Sequence, residues 1–442
     1  MRHTDDPVSS SFPSRGGSGY RICPVCSRGF AGKPAKQRTC STKCSKEWAR
    51  SQKPKFKPPR FDVIEGRLPA IYDSDNLDWQ DSSWRERGEY WDSVVKATRE
   101  TDRSAPLSIA GHGALVRVDG NMLVVRDGFT HHPHRRVEWR FHPRDAALPE
   151  RIVLLSCDGA ISVPALTWLA RQRVPVLLLD ARGNITATFS GDVGGNIDLE
   201  ARAKLHKLDT ARAVEIAKNL IAAKLAGQAR VAQSLSDGFD GVIVVGKIRR
   251  EKQALVLATT IEDIRLAEAR AAVAYFRLWT KLPMRWKGLS ARPVAAEWLH
   301  VGMRGSAIGN SNRNATHPAH AMLNYGYAIL QSQISIACAR AGLDLTAGIL
   351  HAQRPGRPAL TLDLMEGLRP LVDEKIVAFL RSHVFARVDF LIGDDGVVRL
   401  HPQLARAVAM LRMGNDVVEQ SISGFLGELR QQNDSHLIDN RH

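Results

Sequence analysis

The chain has 442 residues, 44% of them hydrophobic, with 62 Lys or Arg against 46 Asp or Glu and a formal net charge of +16. That length buries at least one full core and ordinarily divides into two or three domains. No run reaches the ~18 apolar residues of a membrane span and residues 1–19 lack the apolar run of a secretion signal, so a cytoplasmic protein without membrane attachment is expected.

Residues 1–20, rich in Ser, Gly and Pro, read as a disordered tail. Four of the six cysteines follow within residues 21–52, spaced Cys23-x2-Cys26-x13-Cys40-x3-Cys44. Two short Cys pairs at this spacing predict a small module closed around one tetrahedral Zn²⁺, structural because four thiolates leave no position for water. The charge concentrates here: residues 1–60 hold 14 Lys or Arg against three acids, and the other 382 residues hold 48 against 43. A zinc-folded module would hold Arg28, Lys33, Lys36, Arg38, Lys43 and Lys46 out toward phosphate, which makes double-stranded DNA the expected partner. The alternative is a protein–protein module that its bases keep soluble. Residues 53–105 read as a Lys-Pro linker followed by an unassigned stretch carrying Trp79, Trp84 and Trp91.

Residues 106–191 predict a β-rich domain. Short alternating runs cover Ala114 to Val118, Met122 to Val125 and Val137 to Phe141, with a hairpin turn at Asp119-Gly120. A strand from Arg151 to Leu155 is expected to turn at Asp158-Gly159, followed by a helix from Val163 to Arg173 and strands from Val174 to Leu179 and Ala181 to Phe189. His131-His132-Pro133-His134 reads as an exposed loop, and Gly191 to Asn196 as a hinge.

Residues 192–430 predict a larger, mainly α-helical domain, with residues 431–442 a second disordered tail. Helical spacing covers Ala201 to Leu208, Ala211 to Lys224, Ala229 to Ser236, Ile261 to Leu278, Ala319 to Ala341 and Leu360 to Ser382. A small hairpin from Ala386 to Leu391 and Val397 to Leu400 turns at Asp394-Asp395-Gly396. The fold class is therefore α+β multidomain: a small zinc module, an N-terminal β-rich domain and a larger helical catalytic domain.

Candidate chemistry lies in this helical part. Glu268 sits in the Ala-rich helix Ile264 to Phe276, where small neighbours permit close packing. His351 ends Gly348-Ile349-Leu350-His351 on a loop, and Asp363 and Glu366, three residues apart on the next predicted helix, share one face about a turn apart. Two or three carboxylates plus one neutral imidazole make an oxygen-rich site suited to Mg²⁺ or Mn²⁺ in phosphoryl chemistry. Tyr325 and Tyr327, at i and i+2 of one helix, are assigned to neither base stacking nor catalysis.

Glu268-Ala-Arg-Ala-Ala-Val-Ala-Tyr-Phe, Leu323-Asn-Tyr-Gly-Tyr-Ala-Ile-Leu330, Gly348 to His351 and Asp363-Leu-Met-Glu-Gly-Leu-Arg-Pro370 form one ordered series. It resembles the CRISPR-associated spacer-acquisition integrases, the family of the first Cas protein, over roughly residues 107 to 420. Leu155 to Ser162 and Val174 to Leu177 look like that family's N-terminal β domain. The resemblance implies a metal-dependent DNA integrase and endonuclease with Glu268, His351 and Glu366 as metal ligands and Asp363 as auxiliary acid. It also implies a homodimer paired through the β domains, bridged by the small second Cas protein. Two departures stand out: Asn310 to His320 replaces the family's Pro-rich loop, and the four-cysteine module lies outside the family's core. A transposon-type or orphan metallonuclease without a CRISPR role, and a catalytically silent DNA-binding subunit, are the competing functions.

Overall fold

A computed structural model of the protein describes residues 20–23, 26, 29–31, 41–44, 77–102, 105–130, 136–191, 198–235, 239–307, 314–354 and 357–431. All but one residue of each predicted tail, Cys40, the His131 to His134 loop and most of the Gly191 to Asn196 hinge lie outside them. The chain divides into two compact units, Met1–Pro58 and Pro59–His442. Among the described residues no helix is long and apolar enough to cross a membrane.

In the first unit, β1 (Tyr20–Ile22) pairs antiparallel with β2 (Gly29–Ala31), Tyr20 opposite Ala31. Cys23 directly follows β1 and is buried, and Cys26 lies between the strands.

The described residues of the second unit begin with α1 (Leu77–Thr101), within the stretch the sequence leaves unassigned. Among its described side chains Arg87 and Trp91 are buried one turn apart and both reach Asp389. Arg87 grips Asp389 with two hydrogen bonds of 2.9 and 2.7 Å, and the Trp91 indole N–H donates to the same carboxylate at 2.8 Å. A buried charge holds its place only when paired in this way.

Six strands follow in the order β5-β4-β3-β6-β7-β8: β3 (Leu107–Asp119), β4 (Met122–Arg126), β5 (Glu138–Phe141), β6 (Ile152–Ile161), β7 (Val176–Leu179) and β8 (Ile185–Phe189). β6 runs parallel to β3 and β7, and the outer pairings are antiparallel. Both faces are covered, as the period of two requires. Ile152 and Leu154 join a core with Trp168 and Leu169 of α2 (Val163–Arg171), whereas Val153 and Leu155 join the core of the helices. The expected turn at Asp158-Gly159 is instead continuous strand. Gly159 is needed for closeness: a Cβ there would lie 2.0 Å from the Ala114 carbonyl oxygen, beside the bulges of β3 where Gly111 and Gly113 take φ of +90° and +73°.

The helical part comprises α3 (Leu199–His206), α4 (Thr210–Leu235), α5 (Phe239–Leu257), α6 (Ile261–Trp279), α7 (Pro318–Arg340), α8 (Ala359–Leu364), α9 (Arg369–Ser382), α10 (Pro402–Ala409) and α11 (Asn415–Arg430), with β9 (Phe390–Ile392) and β10 (Val398–Leu400) as the late hairpin. Thr260 and Asp263 form a capping box that starts α6. The two helices expected at Ala211 to Lys224 and Ala229 to Ser236 are one, α4, while α5 was not anticipated. The single helix expected from Leu360 to Ser382 is broken by a 3-10 turn at Glu366–Leu368. Gly367 weakens the helix there, and Pro370, which has no N–H to donate, fits the first turn of a new one.

α7 is buried along most of its length. Both of its central tyrosines belong to the core. Tyr327 donates to Asp373 Oδ1 at 2.6 Å, and the Tyr325 hydroxyl reaches the Ala181 carbonyl at 3.2 Å. His317 and His320, in the segment that departs from the family pattern, also serve structure. His317 Nδ1 accepts from the Ala319 N–H and starts α7, while His320 Nε2 lies 2.7 Å from the Gly302 carbonyl. Burial pushes their pKa values down to about 4 and about 3, so both imidazoles are neutral.

Candidate active site

The inward face of α4 reads Ala217, Ile221, Lys224, Leu225, Gln228, Val231 and Ala232, an apolar stripe interrupted by one cation. Gly227 lets this helix lie against α9: a Cβ there would be 2.6 Å from Pro370 Cβ. The close approach carries Lys224 to two acids on other elements. Its Nζ lies 2.5 Å from Glu268 Oε1, on α6, and 2.7 Å from Glu366 Oε2, at the start of the 3-10 turn.

Arg369 adds a second cation, 3.2 Å from Glu366 Oε1. Burial alone would raise the Glu366 pKa, but Arg369 and Lys224 hold it down at about 2. Burial likewise opposes the Lys224 ammonium, yet Glu366 and Glu268 hold its pKa above the ordinary lysine value. The site therefore brings two carboxylates and two cations together, with Glu366 held ionised at neutral pH. It is graded in exposure: the Glu366 side chain is 7% exposed and that of Glu268 29%, so the pair opens toward solvent on the α6 side.

Gly348 makes the sharp backbone path to His351 possible, because a Cβ would meet the His351 carbonyl oxygen at 2.4 Å and Ala359 Cβ at 2.5 Å. Asp363 then fastens the loop. Its Oδ2 accepts the backbone N–H groups of Ile349 and Leu350 at 2.5 and 3.0 Å, and its Oδ1 accepts that of His351 at 2.9 Å. The same Oδ1 lies 2.6 Å from His351 Nδ1. The sequence expectation that Asp363 and Glu366 converge from one helix face is thus corrected. The helix breaks between them, and Asp363, fully buried, spends both oxygens on the His351 loop while Glu366 turns to Lys224. With Nδ1 committed to a carboxylate, the imidazole has Nε2 as its remaining ring nitrogen. His351 is close enough to Glu366 to help lower its pKa.

Lys224 therefore lies between Glu268 and Glu366, with His351 near enough to Glu366 to act on its charge. Among the described residues, the group of three or more His, Cys, Asp or Glu donors lying within 4.8 Å of one another is Cys23, Cys26 and Cys44, not the acid–imidazole set. The donor chemistry nevertheless fits a hard divalent cation: two carboxylates held against one ammonium, and an imidazole nitrogen. Sequence reasoning did not single out Lys224, and it quoted Arg369 only within a motif. Their signal was a lysine in the middle of an apolar helical stripe and an arginine three residues after Glu366. Behind the site, Tyr275 and Tyr327 both donate to Asp373, tying α6 and α7 to α9, and burial raises the Asp373 pKa. The Arg369 guanidinium lies 4.8 Å from the Tyr327 ring centroid, which continues the brace to Glu366.

A six-stranded sheet joined to a helical body, in which Lys224 bridges Glu268 and Glu366 and Asp363 holds His351, defines an α+β protein with a buried charged site. Residues 107–411 match the family described as CRISPR associated protein Cas1, and the chain belongs to that family. It is 28% identical over 311 residues to the "CRISPR-associated endonuclease Cas1 2" of Pyrobaculum aerophilum, covering 70% of this chain and 90% of that protein. Two solved structures share the fold. One, a casposase bound to integration product, has a TM-score of 0.61 and 21% identity over 75% of this chain and 92% of its own. The other, a Cas6-RT-Cas1–Cas2 complex, has a TM-score of 0.57 and 18% identity over 76% of this chain and 36% of its own.

Proposed function

We propose that the protein is a metal-dependent DNA integrase and endonuclease that inserts short double-stranded DNA by attack of a 3′-hydroxyl on a phosphodiester. The single observation that carries this reading is the bridging of Glu268 and Glu366, from separate elements, by Lys224 at a charged, partly open site where His351 acts on the Glu366 pKa. Glu268, Glu366 and His351 Nε2 would hold a Mg²⁺ or Mn²⁺ ion, which supplies Lewis-acid polarisation of the phosphodiester and stabilises charge developing on its oxygens. Asp363 orients His351, and Arg369 keeps Glu366 ionised. A DNA 3′-hydroxyl as nucleophile yields strand joining, and water yields cleavage. Family membership supports a homodimer paired through the β-rich part, with a small second Cas protein as partner.

The N-terminal unit is proposed as a zinc module. The Sγ atoms of Cys23, Cys26 and Cys44 lie within 4.8 Å of one another, and the spacing supplies Cys40 as fourth ligand. Its net positive charge suits contact with DNA phosphates outside the catalytic centre. One zinc per chain, lost in Cys26→Ser, together with DNA affinity that falls on chelation while joining of short duplexes persists, is the expected result.

The test of the catalytic reading is strand joining and cleavage of duplex DNA with Mn²⁺. Glu268→Ala and His351→Ala are expected to abolish both while leaving DNA binding near the unsubstituted level. Undiminished joining by either variant overturns it.

A further inference from the structure

Lys224 has no partner role in the proposed chemistry, yet it occupies the centre of the site. Its side chain is 8% exposed, and its ammonium contacts one oxygen of each acid that the proposed function uses. A divalent ion joining the same two carboxylates would stand where this nitrogen stands, since oxygen ligands hold Mg²⁺ at about 2.0–2.1 Å. Two cations do not share that space. The four-carbon lysine stem is flexible, and the less buried side of the pair, toward Glu268, gives it an exit.

We infer that Lys224 is a built-in placeholder cation: it holds Glu268 and Glu366 together in the metal-free protein, and the divalent ion binds by displacing it. Lys224 is thus a positioning residue with a cost, since it stabilises the ligand set but competes with the metal. The inference rests on the metal-site reading above. Its sign is opposite to that expected of a ligand or a simple structural lysine. Removing the ammonium leaves two acids facing Arg369 alone, so the site gains net negative charge and attracts a divalent ion more strongly.

The test is Mn²⁺ affinity and melting temperature of the full-length protein, read by electron paramagnetic resonance of free Mn²⁺ and by thermal unfolding. Mn²⁺ prefers oxygen ligands and leaves the four-thiolate module aside. Lys224→Met is expected to melt lower than the unsubstituted protein without metal, to gain more from added Mn²⁺, and to bind it about tenfold more tightly, the effect of ~1.4 kcal/mol. Lys224→Gln, which keeps a hydrogen-bond donor but no charge, gives a second variant with the same expectation should the methionine protein fail to fold. Unchanged or weaker Mn²⁺ affinity in the folded variant overturns the inference. Glu268→Ala separates the two readings. If it leaves Mn²⁺ affinity unaltered, the metal site itself fails and the placeholder with it. If it weakens binding while the Lys224 variants do not tighten it, only the placeholder fails.

Discussion

Asp363 Oδ1 receives His351 twice, from its backbone N–H at 2.9 Å and from its ring Nδ1 at 2.6 Å. One buried oxygen thereby sets both the path of the loop and the orientation of the imidazole it carries. Because Oδ2 takes two further N–H groups, the carboxylate is saturated by the Ile349–His351 segment. The auxiliary acid expected to share a helix face with Glu366 is instead given over to the histidine loop.

Replacing Asp363 by Asn places an amide N–H₂ against backbone donors. Loss of about 1–3 kcal/mol of stability is expected, with a fall of about 10–100-fold in strand joining because His351 loses its fixed orientation. Thermal unfolding and a joining assay on the same preparation check both; full activity with lowered stability would confine Asp363 to a structural role.

The lowered Glu366 pKa has a definite consequence for acid stability. Its folded value of about 2 lies below the ordinary 4.5, so the unfolded chain binds the extra proton between these values. The contribution is fully present above about pH 4.5 and lost as pH falls toward 2. Glu366→Gln should be less stable at neutral pH and should lose less further stability between pH 5 and 2. Denaturant midpoints over that range measure the difference, and parallel curves for the two proteins would contradict it.

Two glycine-to-alanine changes should act in opposite directions. At Gly227 the new Cβ would overlap Pro370 at 2.6 Å, a strain of about 1–3 kcal/mol that outweighs the ~1 kcal/mol gain in helix propensity and pushes α4, with Lys224, off the site. At Gly246, on α5, nothing lies within 4 Å of the new methyl, so the same change should stabilise by about 0.5–1 kcal/mol. Melting temperatures give the signs, and a stabilising Gly227→Ala would mean the helices are not held at this distance.

The strands of the sheet were legible because one-residue alternation is local: Ile152 and Leu154 face one core, Val153 and Leu155 the other. α1 was not legible. Its buried side chains include an arginine whose partner, Asp389, lies 302 positions away, so the helix shows no apolar stripe to read. The break at Glu366–Leu368 was written in Gly367 and Pro370 but was overridden by the helical spacing on either side. Asp158-Gly159 read as a turn because a glycine needed for close strand packing looks, in one dimension, like a glycine needed for reversal.

The sequence by itself determined most of the element types and the family, because periodicity, caps and motif order are properties of neighbouring residues. Tertiary structure alone decided what the side chains of the candidate site touch. It sent Asp363 to the histidine loop rather than to the acids and brought Lys224 between Glu268 and Glu366. A buried charge declares its role only through its partners, and those partners lie 44 and 142 residues from Lys224 along the chain, joined to it by the packing of α4 against α6 and the turn before α9.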